Sequence, residues 1–137
     1  MKYPLTALAS LVAVLAAGTA TPQEAAKAAP SVMEVMMTMT VPASDAIFSA
    51  ASEPPKEAAH WVALRASAKA LADSGRVLTA IAHEKDDAAW IEMARALVTR
   101  AEATFTAIDQ KDADALANAG DDVYLTCKTC HDRFKTE

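Results

Sequence analysis

The sequence is poor in the residues that build turns and sheets. Its 137 residues include only three glycines, and aromatic residues make up only 5% of the chain. Alanine, the strongest helix former, occupies 34 positions. This bias excludes a sizeable β-sheet and predicts an all-α fold, and the length suits one small domain. Few aromatic and many alanine side chains leave a thin core, so we expect something other than side chains to fill part of the interior.

An export signal is predicted at the start of the chain. Lys2 supplies the basic start, residues 5–17 the apolar stretch, and Gly18-Thr19-Ala20 the small-residue cleavage site. The apolar stretch is short for a bilayer span, so we interpret residues 1–20 as a cleaved signal peptide rather than an anchor. The expected mature protein is periplasmic, with a flexible leader over residues 21–30 and a single domain over residues 31–137.

Acidic side chains outnumber basic ones. The chain carries a formal net charge of −5, and loss of Lys2 with the signal would leave 12 basic against 18 acidic side chains. This balance disfavours binding to nucleic acid or to an anionic membrane surface, and it permits a basic protein partner.

The first two of four predicted amphipathic helices are separated by a proline-rich turn. The first helix begins with Ser31 as its N-cap and continues toward Ala51, past Pro42, which kinks or splits it. The second covers residues 56–83. Its apolar and small residues recur at spacings of three and four and form one inward stripe: Trp61, Leu64, Ala68, Leu71, Gly75, Leu78 and Ala82.

The third and fourth predicted helices flank a turn at residues 109–112. Asp86 caps the third helix, and the fourth continues to Phe134. Gly120, on the inward stripe of the fourth helix, is expected to allow close approach of a neighbouring helix or of a bound group. Four segments of about 20 residues joined by short turns predict an up-down-up-down antiparallel bundle.

The chemical signal of the sequence is Cys127-Lys128-Thr129-Cys130-His131, a C-x-x-C-H motif. This pattern is the attachment motif of c-type haem. Two thiols one helical turn apart can each add to a haem vinyl group, and the next residue presents its imidazole to the iron from the same turn. The motif therefore predicts one covalently bound haem c, with Cys127 and Cys130 as the thioether links and His131 as the proximal iron ligand.

Three other kinds of site use cysteines at this spacing. A disulfide would close a very short loop inside a helix. A zinc site needs four ligands, and the sequence clusters only Cys127, Cys130 and His131. A thioredoxin-type redox pair lies at a helix start after a strand, whereas this pair lies in the last turns of a predicted helix. Haem attachment is completed outside the cytoplasm, so it also agrees with the export signal.

The predicted helices and the motif near the carboxyl end resemble the class II c-type cytochromes, the group of cytochrome c′ and cytochrome c-556. Phe134 and Lys135 match the aromatic and basic residues that close the last helix in that family. Residues 32–48 are similar to the first helix of a periplasmic c-556-like subgroup, whose pattern is held here by Met36, Pro42, Ala43, Asp45 and Phe48. The Tyr-Arg pair near the start of a typical cytochrome c′ first helix is missing. The resemblance implies a four-helix bundle with a single haem.

The second axial ligand follows from the predicted bundle. The level of His131 matches the starts of the first and third helices and the end of the second. Met36 lies in the middle of the inward stripe of the first helix, and we predict it as the distal iron ligand. Met93 is also inward but is expected to fill space in the core. His83 is expected to lie solvated at a helix end.

These expectations favour an electron carrier and not an enzyme. Methionine and histidine together raise the reduction potential of haem iron and leave no vacant position on it. The expected partner is a redox protein, for which a basic docking surface would suit the charge of this chain, in a small and brief contact. The alternative is a five-coordinate cytochrome c′-type protein that binds nitric oxide or carbon monoxide. The resemblance also admits a homodimer, and no stable membrane insertion is expected.

Overall fold

The regular backbone of this chain is helical. A computed structural model describes residues 29–81 and 87–135, and every regular element within those ranges is a helix. Helix α1 has three consecutive segments, Val32–Val35, Met36–Thr40 and Val41–Ser52, and it is followed by α2 (Ala58–Thr79), α3 (Asp87–Gln110) and α4 (Ala113–Phe134). The predicted all-α class is confirmed. The predicted signal, most of the leader, His83 and Asp86 lie outside the described residues.

Each helix packs against two others. Contacts join α1 to α2 and α4, and α3 to α2 and α4, whereas the described residues of the two diagonal pairs have no Cα atoms within 8 Å of each other. This arrangement is compatible with a four-helix bundle, in which one face of every helix meets the centre. None of the described helices combines the length and the apolarity needed to cross a membrane.

Side chains and one unusual backbone angle define the helix ends. The Ser31 hydroxyl accepts a hydrogen bond from the Glu34 amide at 3.1 Å, which confirms the predicted cap of α1. Asp112 caps α4 in the same way through the Ala115 amide at 2.9 Å. Before it, Lys111 has a φ of 56°, the left-handed conformation that ends many helices. The turn predicted at residues 109–112 is therefore present.

Pro42 neither splits nor ends the first helix. The backbone stays helical from Val32 to Ser52, but Met36–Thr40 forms a π-helical segment. In that segment the Val41 amide donates to the Met36 carbonyl, five residues back. An α-helical Pro42 would lack the hydrogen bond to the Thr38 carbonyl, and its ring would clash with that oxygen. The wider turn before Pro42 lets the helix continue, which the sequence analysis did not anticipate.

The predicted inward stripe of the second helix is confirmed. Every member of it within the described residues is buried, from Trp61 at 7% exposure to Leu71 at 0%. Four polar side chains are buried in the bundle, and each hydroxyl donates to a backbone carbonyl of its own helix: Thr40, Ser44, Ser74 and Thr104. No buried side-chain nitrogen or oxygen in the described part of the chain lacks a partner.

Two glycines bring neighbouring helices into close contact. A Cβ atom on Gly75 of α2 would lie 2.8 Å from Val98 Cγ2 and 3.1 Å from the Ala94 carbonyl oxygen of α3. A Cβ atom on Gly120 of α4 would lie 2.9 Å from the Ala51 Cβ of α1. Both separations are shorter than van der Waals contact, so a side chain at either position would force the helices apart. Of the two roles expected for Gly120, the structure shows the close approach of a helix.

We expect Gly120→Ala to destabilise the protein and Ala51→Gly to relieve the effect. The new methyl group would overlap the Ala51 methyl group, and removal of the latter restores the space. A double-mutant cycle measured by urea unfolding should give a favourable coupling energy of about 0.5–3 kcal/mol between the two substitutions. Additive effects would contradict the close contact between α1 and α4.

Candidate functional site

A cavity of about 340 Å³ lies at one end of the helices. It is lined by residues of α1 between Met36 and Phe48, by Leu78 near the end of α2, by the first half of α3 and by the last turns of α4. Its volume falls within the range of about 300–1,000 Å³ that is usual for sites of small molecules and cofactors. The helix ends that the sequence analysis placed at the level of His131 are those that meet here.

The C-x-x-C-H residues form one wall of this cavity. Cys127, Cys130 and His131 all lie on α4 and all line it. Both cysteines are half-buried, and their sulfur atoms are not joined in a disulfide. His131 is more exposed, so the imidazole lies where the cavity meets solvent. The three donor groups predicted from the motif therefore face one space.

Burial raises the pKa of both thiols. Desolvation raises the pKa of Cys127 above its ordinary value of 9.0, and the neighbouring Cys130 adds a smaller effect in the same direction. Burial likewise raises the pKa of Cys130. A thioredoxin-type pair needs the opposite shift, toward a reactive thiolate. The environment of the two thiols therefore does not favour a thioredoxin-type redox pair.

Helix α1 forms the facing wall. Met36, Thr40, Ser44 and Phe48 line the cavity in a row with a spacing of four residues. The Phe48 ring packs edge-on against Tyr124 of α4, with ring centroids 6.3 Å apart and an interplanar angle of 77°. Met36 therefore lines the same cavity as His131 and the two cysteines, and its role as a distal ligand stays a prediction.

Trp90 closes the inner end of the site. Its Nε1 donates a hydrogen bond to the Leu78 carbonyl of α2 at 2.8 Å. Its ring packs edge-on against Phe134, with ring centroids 5.4 Å apart. Trp90 is only 3% exposed and also lines the cavity. One side chain thus joins α2, α3 and α4 at the level of the candidate site.

Met93 is the second thioether at the cavity. It lines the wall formed by α3 and is half-buried rather than part of the fully buried core. It also lines a shallower groove on the outer side of α3 and α4, together with Leu125 and Thr129. This placement is more peripheral than the core position expected from its inward stripe.

One ion pair lines the cavity, and a second lies at the shallower groove between α3 and α4. Lys128 and Asp132 both line it and are paired with each other at 2.5 Å, four residues apart on α4. The hydrogen bond with Asp132 raises the pKa of Lys128. On the outer side, Arg100 of α3 pairs with Asp122 of α4 at 3.0 Å. Both pairs are exposed and contribute little to stability.

The residues at this cavity fit a c-type haem. Two unpaired thiols, an imidazole and two thioethers line one space whose walls are otherwise largely apolar and aromatic. These are the groups that attach a haem through its vinyl carbons and ligate its iron from two sides. No cluster of three or more His, Cys, Asp and Glu side chains suited to a metal ion occurs in the described part of the chain.

No protein-family model, curated protein or solved structure matches this chain. The likeness to class II cytochromes c therefore depends on the residues quoted above.

The polar part of the wall formed by α1 was not predicted from the sequence. Thr40 and Ser44 lie beside Met36 in the row that faces the cavity. Their spacing of four residues ahead of Phe48 was a visible signal. The face that Thr40, Ser44 and Phe48 share could not be extended to Met36 from the sequence, because the rotation of the helix across the π-helical segment was unknown.

The raised pKa values of Cys127 and Cys130 predict how the stability of the haem-free chain depends on pH. The folded state favours the protonated thiols. Their contribution to the free energy of unfolding should therefore be constant below pH 9.0, the ordinary pKa of a thiol. It should be lost as the pH rises through the higher pKa values of the folded state. Alkylation rates followed against pH should give midpoints above 9.0 in buffer and close to that value in urea.

The double variant Cys127→Ser, Cys130→Ser is the matched control for this measurement. It keeps side chains of similar size without the titrating thiols, so this loss of stability at high pH should disappear. Equal alkylation midpoints in buffer and in urea would contradict the burial of the two sulfur atoms.

Proposed function

We propose that this protein is an exported monohaem c-type cytochrome of the class II kind that carries electrons. In this proposal the four helices form an up-down-up-down antiparallel bundle. Cys127 and Cys130 would hold the haem by thioether bonds, His131 would be the proximal iron ligand and Met36 the distal one. A haem iron ligated in this way supplies a reversible one-electron change between the ferric and ferrous states.

The observation that carries the proposal is that Met36 shares a cavity with Cys127, Cys130 and His131. These residues come from opposite ends of the described chain, and the C-x-x-C-H motif alone says nothing about Met36. A thioether on the wall facing the motif is the arrangement that a six-coordinate haem requires. It favours electron transfer over gas binding, because an iron held from both sides has no vacant position.

The surrounding residues account for the remaining requirements of an electron carrier. Trp90, held by its hydrogen bond to the Leu78 carbonyl, and the Phe48–Tyr124 pair supply apolar and aromatic surface against which a haem would pack. The exposed position of His131 leaves one side of the site close to the surface, where a partner protein can approach. The negative charge of the chain favours a partner with a basic docking surface.

The optical and magnetic spectra of the purified holoprotein test the proposed ligation. We expect a low-spin ferric signal with the methionine-to-iron charge-transfer band. Met36→Leu keeps the volume of the side chain but removes the sulfur atom, so it should abolish the band and produce high-spin iron. The midpoint potential should fall by roughly a tenth of a volt or more, within the range of about 0.8 V that axial ligands govern.

Met37→Leu and Met93→Leu are the matched controls. Met37 is adjacent in sequence but 62% exposed, and Met93 lines the cavity from the other side. Both variants should keep the low-spin spectrum. Loss of the band in Met93→Leu alone would show that the distal ligand is Met93 of α3 and not Met36. A high-spin parent protein that binds carbon monoxide tightly would instead favour the gas-binding alternative.

A further inference from the structure

The π-helical segment determines which methionine of α1 faces the cavity. In an uninterrupted α-helix each residue turns by about 100°, so Met37, seven residues before Ser44, would lie within about 20° of Ser44. Met36, eight residues before it, would lie about 80° away. In the structure, however, Met36 lines the cavity with Ser44, and Met37 is 62% exposed. The segment before the π turn is therefore displaced by one residue.

The burial of the preceding residues agrees with this displacement. Val35 is 1% exposed and packs in the core, although a regular helix would turn it about 80° away from the buried Ala43. Met33, four residues before Met37, is 69% exposed. A π turn accommodates one additional residue in the helix, so each residue before it takes the position that its successor would occupy in a regular α-helix.

The cause lies in Pro42. Its ring excludes the carbonyl oxygen four residues back, and it has no amide hydrogen for that oxygen. The hydrogen bond from the Val41 amide to the Met36 carbonyl spans five residues. The Thr40 hydroxyl also reaches a carbonyl five residues back, that of Val35, at 3.4 Å. Both contacts belong to the wider turn, which removes the clash.

We propose that Pro42 is a positioning residue that selects Met36 over Met37 as the thioether facing the cavity. Without the proline, α1 would become α-helical throughout, and Met37 would take the place of Met36. The orientation of the two side chains follows from the backbone alone. The consequence for iron ligation rests on the function proposed above.

The test compares the parent protein with Pro42→Ala. In the holoprotein, the methionine-to-iron charge-transfer band should depend on Met36 in the parent and on Met37 in the variant. Met36→Leu should therefore abolish the band only with Pro42 present, and Met37→Leu only with Pro42 absent. Pro54→Ala, a substitution in the turn between α1 and α2, should leave the dependence on Met36 unchanged.

Methionine oxidation by dilute peroxide gives a second measurement that does not depend on ligation. Peptide mass spectrometry should show that Met37 is oxidised severalfold more slowly in Pro42→Ala than in the parent, because it moves from solvent to the cavity. The same comparison holds if the parent iron proves to be high-spin, which would refute the proposed ligation but not the positioning.

Deletion of Thr38 from the Pro42→Ala chain tests the register itself. The deletion leaves Met36 seven residues before Ser44, so a regular helix should return it to the cavity and restore the dependence of the band on Met36. The proposal is overturned if Met37 is oxidised as fast in Pro42→Ala as in the parent, or if the deletion does not restore the original pattern. A Pro42→Ala chain that does not fold would also overturn it, because the proposal requires a stable regular helix.

Discussion

The architecture depends on close contact between helices that carry small side chains. Ala68 and Ala101 have no exposed surface, and Gly75 and Gly120 leave no room for a methyl group. Dispersion forces fall steeply with distance, so a bundle with few large side chains is stabilised only if its helices approach closely. The scarcity of aromatic residues and the abundance of alanine are thus matched by the close packing of the helices.

Two aromatic pairs lie at or beside the cavity, whereas Trp61 and Phe105 do not line it. Trp90 and Phe134 pack edge-on there, and Phe48 packs on Tyr124 across the cavity. Apart from Ala94, the side chains that line the cavity are larger than that of alanine. In the proposed function, the haem takes the place of the core that the composition could not supply.

Much of the fold could be predicted from the sequence, because a helix depends on interactions between residues close in the chain. The spacing of Trp61, Leu64 and Leu71 predicted the buried face of α2, and Ser31 predicted the cap of α1, since both depend only on neighbours within a turn or two. The common level of Met36 and His131 followed from helix lengths and short turns. The displacement across Met36–Thr40 could not be predicted in this way, because periodicity arguments assume a constant rotation per residue.

The sequence by itself determined the helical class, the places of the helices along the chain and the position of Cys127, Cys130 and His131 close together on one helix, because composition and local spacing are sufficient for each. Only the tertiary structure decided which residues of α1 face that motif. Pro42 forbids a regular turn, but the buried positions of Val35 and Ala43 show how the helix resolves the conflict. A rotation of about 100° between two halves of a helix is invisible until both halves pack against their neighbours.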